Sequence, residues 1–356
     1  MPENKKSFKG LRRLLTIASV LYLVVLCVTL FLIEHCTEGQ WYLSPLLYLP
    51  PQGWLLPLLV LAPLAVWLRP WLIFLHLAAF FAVFLGFMHF FSPKTLANDI
   101  PADSLLTVIT ANIGERKLPT LQPFLDEINP DVVAFQKGVY PRAAFDAVYP
   151  GYNYSNLGEF TLASKLPILD AGIVPALTFE GRPVAAWFEL EYSTNHQPVV
   201  IYSIHMPTPR YYLYDLRGKG FLASADQDEG IYSEGAWSNY RYYWTSRFEL
   251  ARGLLAVLEQ EKRPMIICGD FNTPDHGELY HLFATHYTDA FAAVGQGFGL
   301  TFPANAHVAV AGDRPWLRLD YQFADTNWQP VEALVEPLTR AEHLAVSVSY
   351  RFAGGK

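Results

Sequence analysis

The hydrophobic pattern of the chain changes character once, near position 92. Before that point apolar residues come in long unbroken runs. Leu14 to Ile33 is about twenty residues without a charge, long enough to cross the hydrocarbon core of a bilayer. It follows a basic head and lacks a small-residue cleavage site, the pattern of a retained helix rather than a removed signal peptide. A second apolar region, Trp54 to Phe91, is broken at Arg69-Pro70. As one helix it would run about 57 Å, far more than a bilayer needs. It reads instead as two crossings, about 54–68 and 71–91, with a tight turn at Arg69-Pro70. Pro57 and Pro63 leave a re-entrant segment open for the first of them. The chain thus divides into a basic N-terminus (1–13), a transmembrane region (14–91), a linker (92–102) and a second domain (103–356).

After the linker the apolar runs shorten to strand length and become rich in Val and Ile. "LLTVITANI" (105–113), "VVAFQ" (132–136), "AAWFELEY" (185–192), "VVIYSIHM" (199–206) and "PMIICGDF" (264–271) are the clearest. A last strand alternates Leu344, Val346, Val348, Tyr350 and Phe352 with smaller or polar residues. Helices are expected at about 118–128 and 244–261, the second on the stripe Phe248, Ala251, Leu254, Leu255 and Leu258. The stretch 210–245, rich in Tyr, Gly, Asp and Ser, shows no period and reads as a long loop or insertion. Strands outnumber helices without strict βαβ alternation, which implies an α+β domain of packed sheets with helices outside.

Charge adds an orientation. The net charge is −7, yet Lys5, Lys6, Lys9, Arg12 and Arg13 against Glu3 give the first thirteen residues +4, which leaves −11 for the rest. A basic head predicts a cytoplasmic start, so three crossings place the second domain outside the cytoplasm of a multi-pass inner (plasma) membrane protein. An acidic body is a poor match to a nucleic-acid backbone. The three cysteines, Cys27, Cys36 and Cys268, form no disulfide framework.

Polar residues gather where strands end. "VITANIGE" ends in Asn112 and Glu115, "IYSIHMP" in His205, and "IICGDFNTPD" in Asp270 and Asn272. "LRLDYQF" holds Asp320, and Glu342-His343 precede the last strand. If these ends converge, the rim can polarise water and hold a phosphoryl group. No Ser or Cys nucleophile motif, His-x-x-x-His pair or Gly-rich phosphate loop is present.

Taken in order, these pieces resemble the endonuclease/exonuclease/phosphatase superfamily, whose fold is that of deoxyribonuclease. The resemblance rests on "ANIGE", "DVVAFQ", "ASKLPI", "SIHMP", "GDFN", "LDY" and the closing acid-His pair, over about 103–352. "GFGLTFP" (297–303) followed by "LRLDYQF" is similar to its membrane-anchored bacterial branch. The resemblance implies a four-layer αββα sandwich that hydrolyses phosphate esters with a divalent cation, Mg²⁺ or Mn²⁺. It implies that His343 and Asp320 act on the attacking water, that Asp270 lies nearest the nucleophile with Asn272 beside it, and that His205 and Asn112 hold phosphate oxygens.

Two positions depart from the pattern. The resemblance places a metal-ligating Glu after "VVAFQ", where this chain has Lys137, and an Asp before the closing His, where it has Glu342. A protonated Lys does not bind Mg²⁺ and is repelled by it. Lys137 and Glu342 are therefore expected to meet as an ion pair. Three readings stay open: a hydrolase in which the ammonium replaces part of the metal's charge, a hydrolase whose metal is displaced onto Glu115, Asp270 or Glu342, and a non-catalytic domain that binds a phosphorylated ligand or partner. A membrane tether favours a phospholipid or lipid-linked phosphodiester as substrate, with extracytoplasmic nucleic acid the less favoured alternative. Tyr211, Tyr212, Tyr214, Tyr240, Tyr242, Tyr243 and Trp244 form an aromatic belt that could rest on headgroups or pack on its own domain.

Overall fold

The computed structural model describes residues 3–36, 39–92, 105–114, 118–138, 140–192, 197–218, 229–306, 311–337, 339 and 341–354. The linker 92–102, apart from Ser92, and Glu115 lie outside the described residues. The chain separates near Phe90 into two units.

In the first unit, α1 (Glu3–Cys36) beyond its basic first turns, α2 (Leu58–Leu68) and α3 (Ile73–Phe81) are apolar almost all round. Three helical stretches are long and apolar enough to cross a membrane: Phe8–Cys36, Pro51–Leu68 and Pro70–Phe87, with mean hydropathies of 2.7, 1.6 and 2.1. Leu26, Ala79 and Val83 pack inside the unit, while Leu14, Leu59 and Phe74 face outward, the reverse of a water-soluble bundle. Some of its polar groups pair within it, Ser19 Oγ lying 3.0 Å from His76 Nε2 and the Tyr22 hydroxyl donating to Trp54 O. Arg69, before Pro70, leaves helical geometry (φ −154°, ψ 78°), because the proline ring excludes the helical region for its predecessor. The third stretch closes in a π-helical turn, Ala82–Phe87, short of the expected 91.

In the second unit the chain runs β1 (Leu105–Asn112), α4 (Leu118–Ile128), β2 (Val132–Gln136), α5 (Arg142–Asp146), β3 (Asn153–Leu157), β4 (Phe160–Ser164) and β5 (Ile168–Ile173). It continues through β6 (Thr178–Phe179), β7 (Arg182–Pro183), β8 (Ala185–Tyr192), β9 (Gln197–His205), α6 (Arg210–Arg217), α7 (Glu234–Gln260) and β10 (Met265–Asp270). It ends with α8 (Glu278–Ala284), β11 (Thr288–Asp289), α9 (Ala290–Val294), β12 (Asp320–Ala324), β13 (Trp328–Val335) and β14 (Val346–Phe352). Two six-stranded sheets form, in the orders β13-β14-β1-β2-β4-β3 and β11-β12-β10-β9-β8-β5, each with one parallel pair at its centre, β1 with β2 and β9 with β10.

Alternation explains the layers. Val108, Val132, Ala134, Ile201, Ile266, Cys268 and Val348 meet in the core between the sheets. Ile109, Ala111, Val133 and Phe135 point the other way, under Leu121, Phe124 and Leu125 of α4. On the second sheet Phe323 packs against Phe283 of α8. "VVAFQ" is buried throughout, and apolar up to Gln136, because both faces of β2 are covered. Buried amides tie one sheet to the other: Gln136 Nε2 donates to Ser203 Oγ at 2.9 Å, and Gln322 Nε2 donates to Val108 O and Val346 O. This is the sandwich that the strand pattern implied.

The stretch 210–245 is not one long loop. Its described parts are α6 and the start of α7, which begins ten residues before the expected 244. Ser233 caps α7 by accepting from Ala236 N. Tyr240, Tyr243 and Trp244 extend its buried stripe, so the phenol and indole groups hid the helical period. The aromatic belt accordingly splits: these three are core, whereas Tyr211, Tyr214 and Tyr242 are exposed.

Gly269, just before Asp270, has φ +142°, and a Cβ there would lie 2.0 Å from the backbone oxygen of Ile204 on β9. Gly269→Ala must part β9 from β10. We expect it to lose at least about 4 kcal/mol, read as failed expression or a collapsed melting transition of the full chain in detergent.

Candidate active site

Strand register brings three site residues side by side. On the second sheet Asp270 of β10 stands opposite His205 of β9 on one side and opposite Asp320 of β12 on the other. From the first sheet, Asn112 ends β1, and His343 leads into β14. Asn112, His205, Asp270, Asn272 and His343 line one cleft of ≈ 470 Å³.

Asp270 is 1% exposed, and its carboxylate is the hub. It accepts from Asn112 Nδ2 at 2.7 Å, from the Asn272 backbone N–H at 2.8 Å and from Asn272 Nδ2 at 3.1 Å. A buried carboxylate needs such donors, because desolvation otherwise costs several kcal/mol. Asn272 folds back onto Asp270 with φ +50°, a left-handed conformation that Asn tolerates. Among the described residues Asn112 Oδ1 finds no donor, so its amide holds Asp270 and keeps an acceptor and one N–H unspent there.

His343 Nδ1 donates to Asp320 Oδ2 at 2.9 Å, which leaves Nε2 facing Asp270 Oδ2 at 3.7 Å. Burial alone would lower the His343 pKa, but the carboxylates of Asp320 and Asp270 outweigh it and raise it above 6.5. Asp320 is also raised, by burial first, with Asp270 adding to it and His343 opposing. Two carboxylates directly opposite on neighbouring strands repel, and the imidazolium is what separates their charges. "GFGLTFP" builds this corner. Thr301 Oγ1 accepts from the backbone N–H groups of Leu319 and Asp320, and its carbonyl accepts from Leu344 N. Phe302 packs on the His343 ring, with centroids 4.6 Å apart.

Three residues at the site had no signal in the sequence. Glu159 Oε2 lies 3.0 Å from His205 Nδ1 and orients that ring so that Nε2 faces Asp270 at 3.9 Å. Burial would raise the Glu159 pKa, but His205, Arg182 and Lys137 hold it low. Arg182 lies 3.6 Å from the same carboxylate oxygen. Arg210, the first residue of α6, donates to Glu342 Oε1. Each reaches the cleft from a loop or a short element, where no periodicity marks a residue.

Lys137 and Glu342 do meet, Nζ to Oε2 at 3.3 Å. Arg210 takes the other carboxylate oxygen, so Glu342 carries a cation on each. Burial opposes ionisation of Glu342, but Arg210 and Lys137 outweigh it and lower its pKa. Lys137 has φ +60°, a left-handed geometry that costs a non-glycine residue about 1–2 kcal/mol.

A metal ion fits one place here and not another. Asp270, Asp320 and His343 offer ligand atoms within 4.8 Å of one another and could hold one, and Asp320 Oδ1 has no donor among the described residues. At Lys137 and Glu342 the residues do not fit a divalent cation, since two side-chain cations already share the only carboxylate of that pair.

The model of the Endonuclease/Exonuclease/phosphatase family matches residues 102–347. No curated protein matches the chain. Among solved structures it is similar to an endonuclease/exonuclease/phosphatase family protein from Bacteroides thetaiotaomicron, at 15% identity and a TM-score of 0.49 over 70% of this chain and 99% of that one. It is also similar to the human Nocturnin catalytic domain with bound sulfate, at 15% identity and a TM-score of 0.47 over 70% and 95%. A mannosyl-6-phosphatase from Bacteroides thetaiotaomicron is similar at 15% and 0.47 over 69% and 100%.

The His343 environment is testable without knowing a substrate. Its imidazole should titrate above 6.5 by NMR, and Asp320→Asn should bring it down, because burial then acts with one carboxylate fewer against it.

Proposed function

The chain belongs to the endonuclease/exonuclease/phosphatase family, and we propose that its second unit is a phosphoester hydrolase whose water is activated by the His343–Asp320 pair beside Asp270. The observation that carries this is the orientation of His343. With Nδ1 held by Asp320, Nε2 is the atom left to take a proton, and it faces Asp270 across 3.7 Å. Water held against both groups attacks phosphorus, its proton passes to Nε2, where Asp320 stabilises the imidazolium, and the P–O bond to the leaving group breaks as the departing oxygen takes a proton from the imidazolium or from solvent. His205, fixed by Glu159, is oriented to donate to a phosphoryl or leaving oxygen. Asn112 and Asn272 keep Asp270 in place.

The family is typically metal-dependent, and here Asp270, Asp320 and His343 would be the holders; an ion there takes the His343 lone pair, so the imidazole acts as the base only in the ion-free site. A cation bound there would polarise a phosphoryl oxygen. Lys137 stands where the family pattern has a metal-ligating Glu, so at that place positive charge comes from the protein itself.

Location and substrate follow from the tether. Three helices able to cross a bilayer and a basic N-terminus support a membrane-anchored enzyme of the bacterial branch, with its hydrolase unit outside the cytoplasm. Such an enzyme meets lipid and envelope phosphodiesters first, and an acidic body disfavours nucleic acid. The pairing of Glu342 with both cations favours a second reading, a non-catalytic domain that binds a phosphorylated ligand.

The test is hydrolysis of bis(p-nitrophenyl) phosphate and of phosphatidylglycerol vesicles by the full chain in detergent, with chelator, Mg²⁺ or Mn²⁺. We expect activity that His343→Ala lowers by about 10²–10⁴-fold. The rate should rise with pH through a limb above 6.5 as His343 loses its proton, and Asp320→Asn should move that limb lower. An inert wild type beside a metal-dependent Lys137→Glu would establish the binding reading instead.

A further inference from the structure

We infer that Lys137 and Arg210 form a two-armed clamp that binds the non-bridging oxygens of a phosphodiester directly, without a divalent cation. This rests on the phosphoester reading of the same cleft and names the group that the cleft takes.

The clamp is visible in how Glu342 is held. Lys137 Nζ meets Oε2 and Arg210 Nη2 meets Oε1, one cation on each oxygen of a single carboxylate. Glu342 thereby holds the two arms side by side, and their remaining N–H bonds are what the PO₂⁻ group of a phosphodiester, two oxygens sharing one negative charge, takes. Three groups with two positive charges and one negative leave a surplus of one, which one phosphodiester neutralises.

Both arms have donors to spare. An ammonium has three N–H bonds and a guanidinium five. Lys137 and Arg210 both line the cleft with His205 and His343, so the spare donors have access to a group held beside the water-activating histidine. The side chains are 42% and 35% exposed, open to a ligand yet not free to wander. Arg210 lies over the Phe302 ring at 5.4 Å, and Phe302 packs on His343, so the arm is fixed relative to the base. Lys137 is held in the left-handed region, where a lysine gains nothing locally and its side chain is delivered to Glu342. Glu342 is a positioning residue in this arrangement.

The experiment titrates diethyl phosphate into the full chain in detergent with excess EDTA, followed by ³¹P NMR. This diester resists hydrolysis, so binding is read apart from turnover. The clamp predicts saturable binding in chelator, weakened about tenfold or more by Lys137→Met and by Arg210→Met, and largely kept by Lys137→Arg. All variants should melt near wild type, because both side chains are partly exposed. Binding that requires Mg²⁺, or that neither Met variant changes, overturns the clamp. Displacement of the probe by dihexanoyl phosphatidylglycerol supports a lipid source, and displacement by an oligothymidylate alone overturns it. Chelator-resistant binding with no hydrolysis of any phosphoester sinks the hydrolase and leaves the clamp standing. Hydrolysis with unchanged binding in both Met variants does the reverse.

Discussion

Asp270 carries a negative charge at the seam where the ends of two sheets meet, and the rest of the site is arranged to make that burial tolerable. Asn112 reaches it from the first sheet, Asn272 folds back onto it, and His205 and His343 face it from either side. A carboxylate this deep cannot be left to solvent, so its donors fix the relative position of the sheets at this end. Gln136 to Ser203 and Gln322 to Val108 and Val346 do the same further along the core. Structure and chemistry thus share one set of hydrogen bonds. The packing that satisfies Asp270 also sets its spacing from His343 Nε2.

The electrostatics of the cleft follow a simple rule of neighbours. Each buried acid has a cation or an imidazole against it: Asp320 has His343, Glu159 has His205 and Arg182, and Glu342 has Lys137 and Arg210. The last trio is the unusual one. It sets two side-chain cations on one carboxylate, and it does so through a strained lysine and a helix-initiating arginine.

Much of this was legible in the sequence, and for a physical reason. A strand buried on both faces reads as an unbroken run and one with a wetter face as an alternation, so β2 and β8 were placed to the residue. The polar residues that end such runs stand out against them, which is why Asn112, His205, Asp270 and Asp320 could be named. What stayed hidden lacks that contrast. The start of α7 is buried through Tyr240, Tyr243 and Trp244, which look polar or ambiguous in a linear pattern. Glu159, Arg182 and Arg210 come from loops or short elements, and only tertiary folding carries them to the cleft. The Lys137–Glu342 pair was readable because two departures from one pattern pointed at each other; the second cation on Glu342 was not.

The central claim is that protein cations, not a metal, supply the positive charge at Glu342. The direct measurement is anomalous scattering from crystals of the full chain soaked in Mn²⁺. The account predicts that no manganese peak lies within ligand distance of Glu342, and that any bound ion sits on Asp270, Asp320 and His343. A manganese ion ligated by Glu342, with Lys137 turned away from it, would contradict the account.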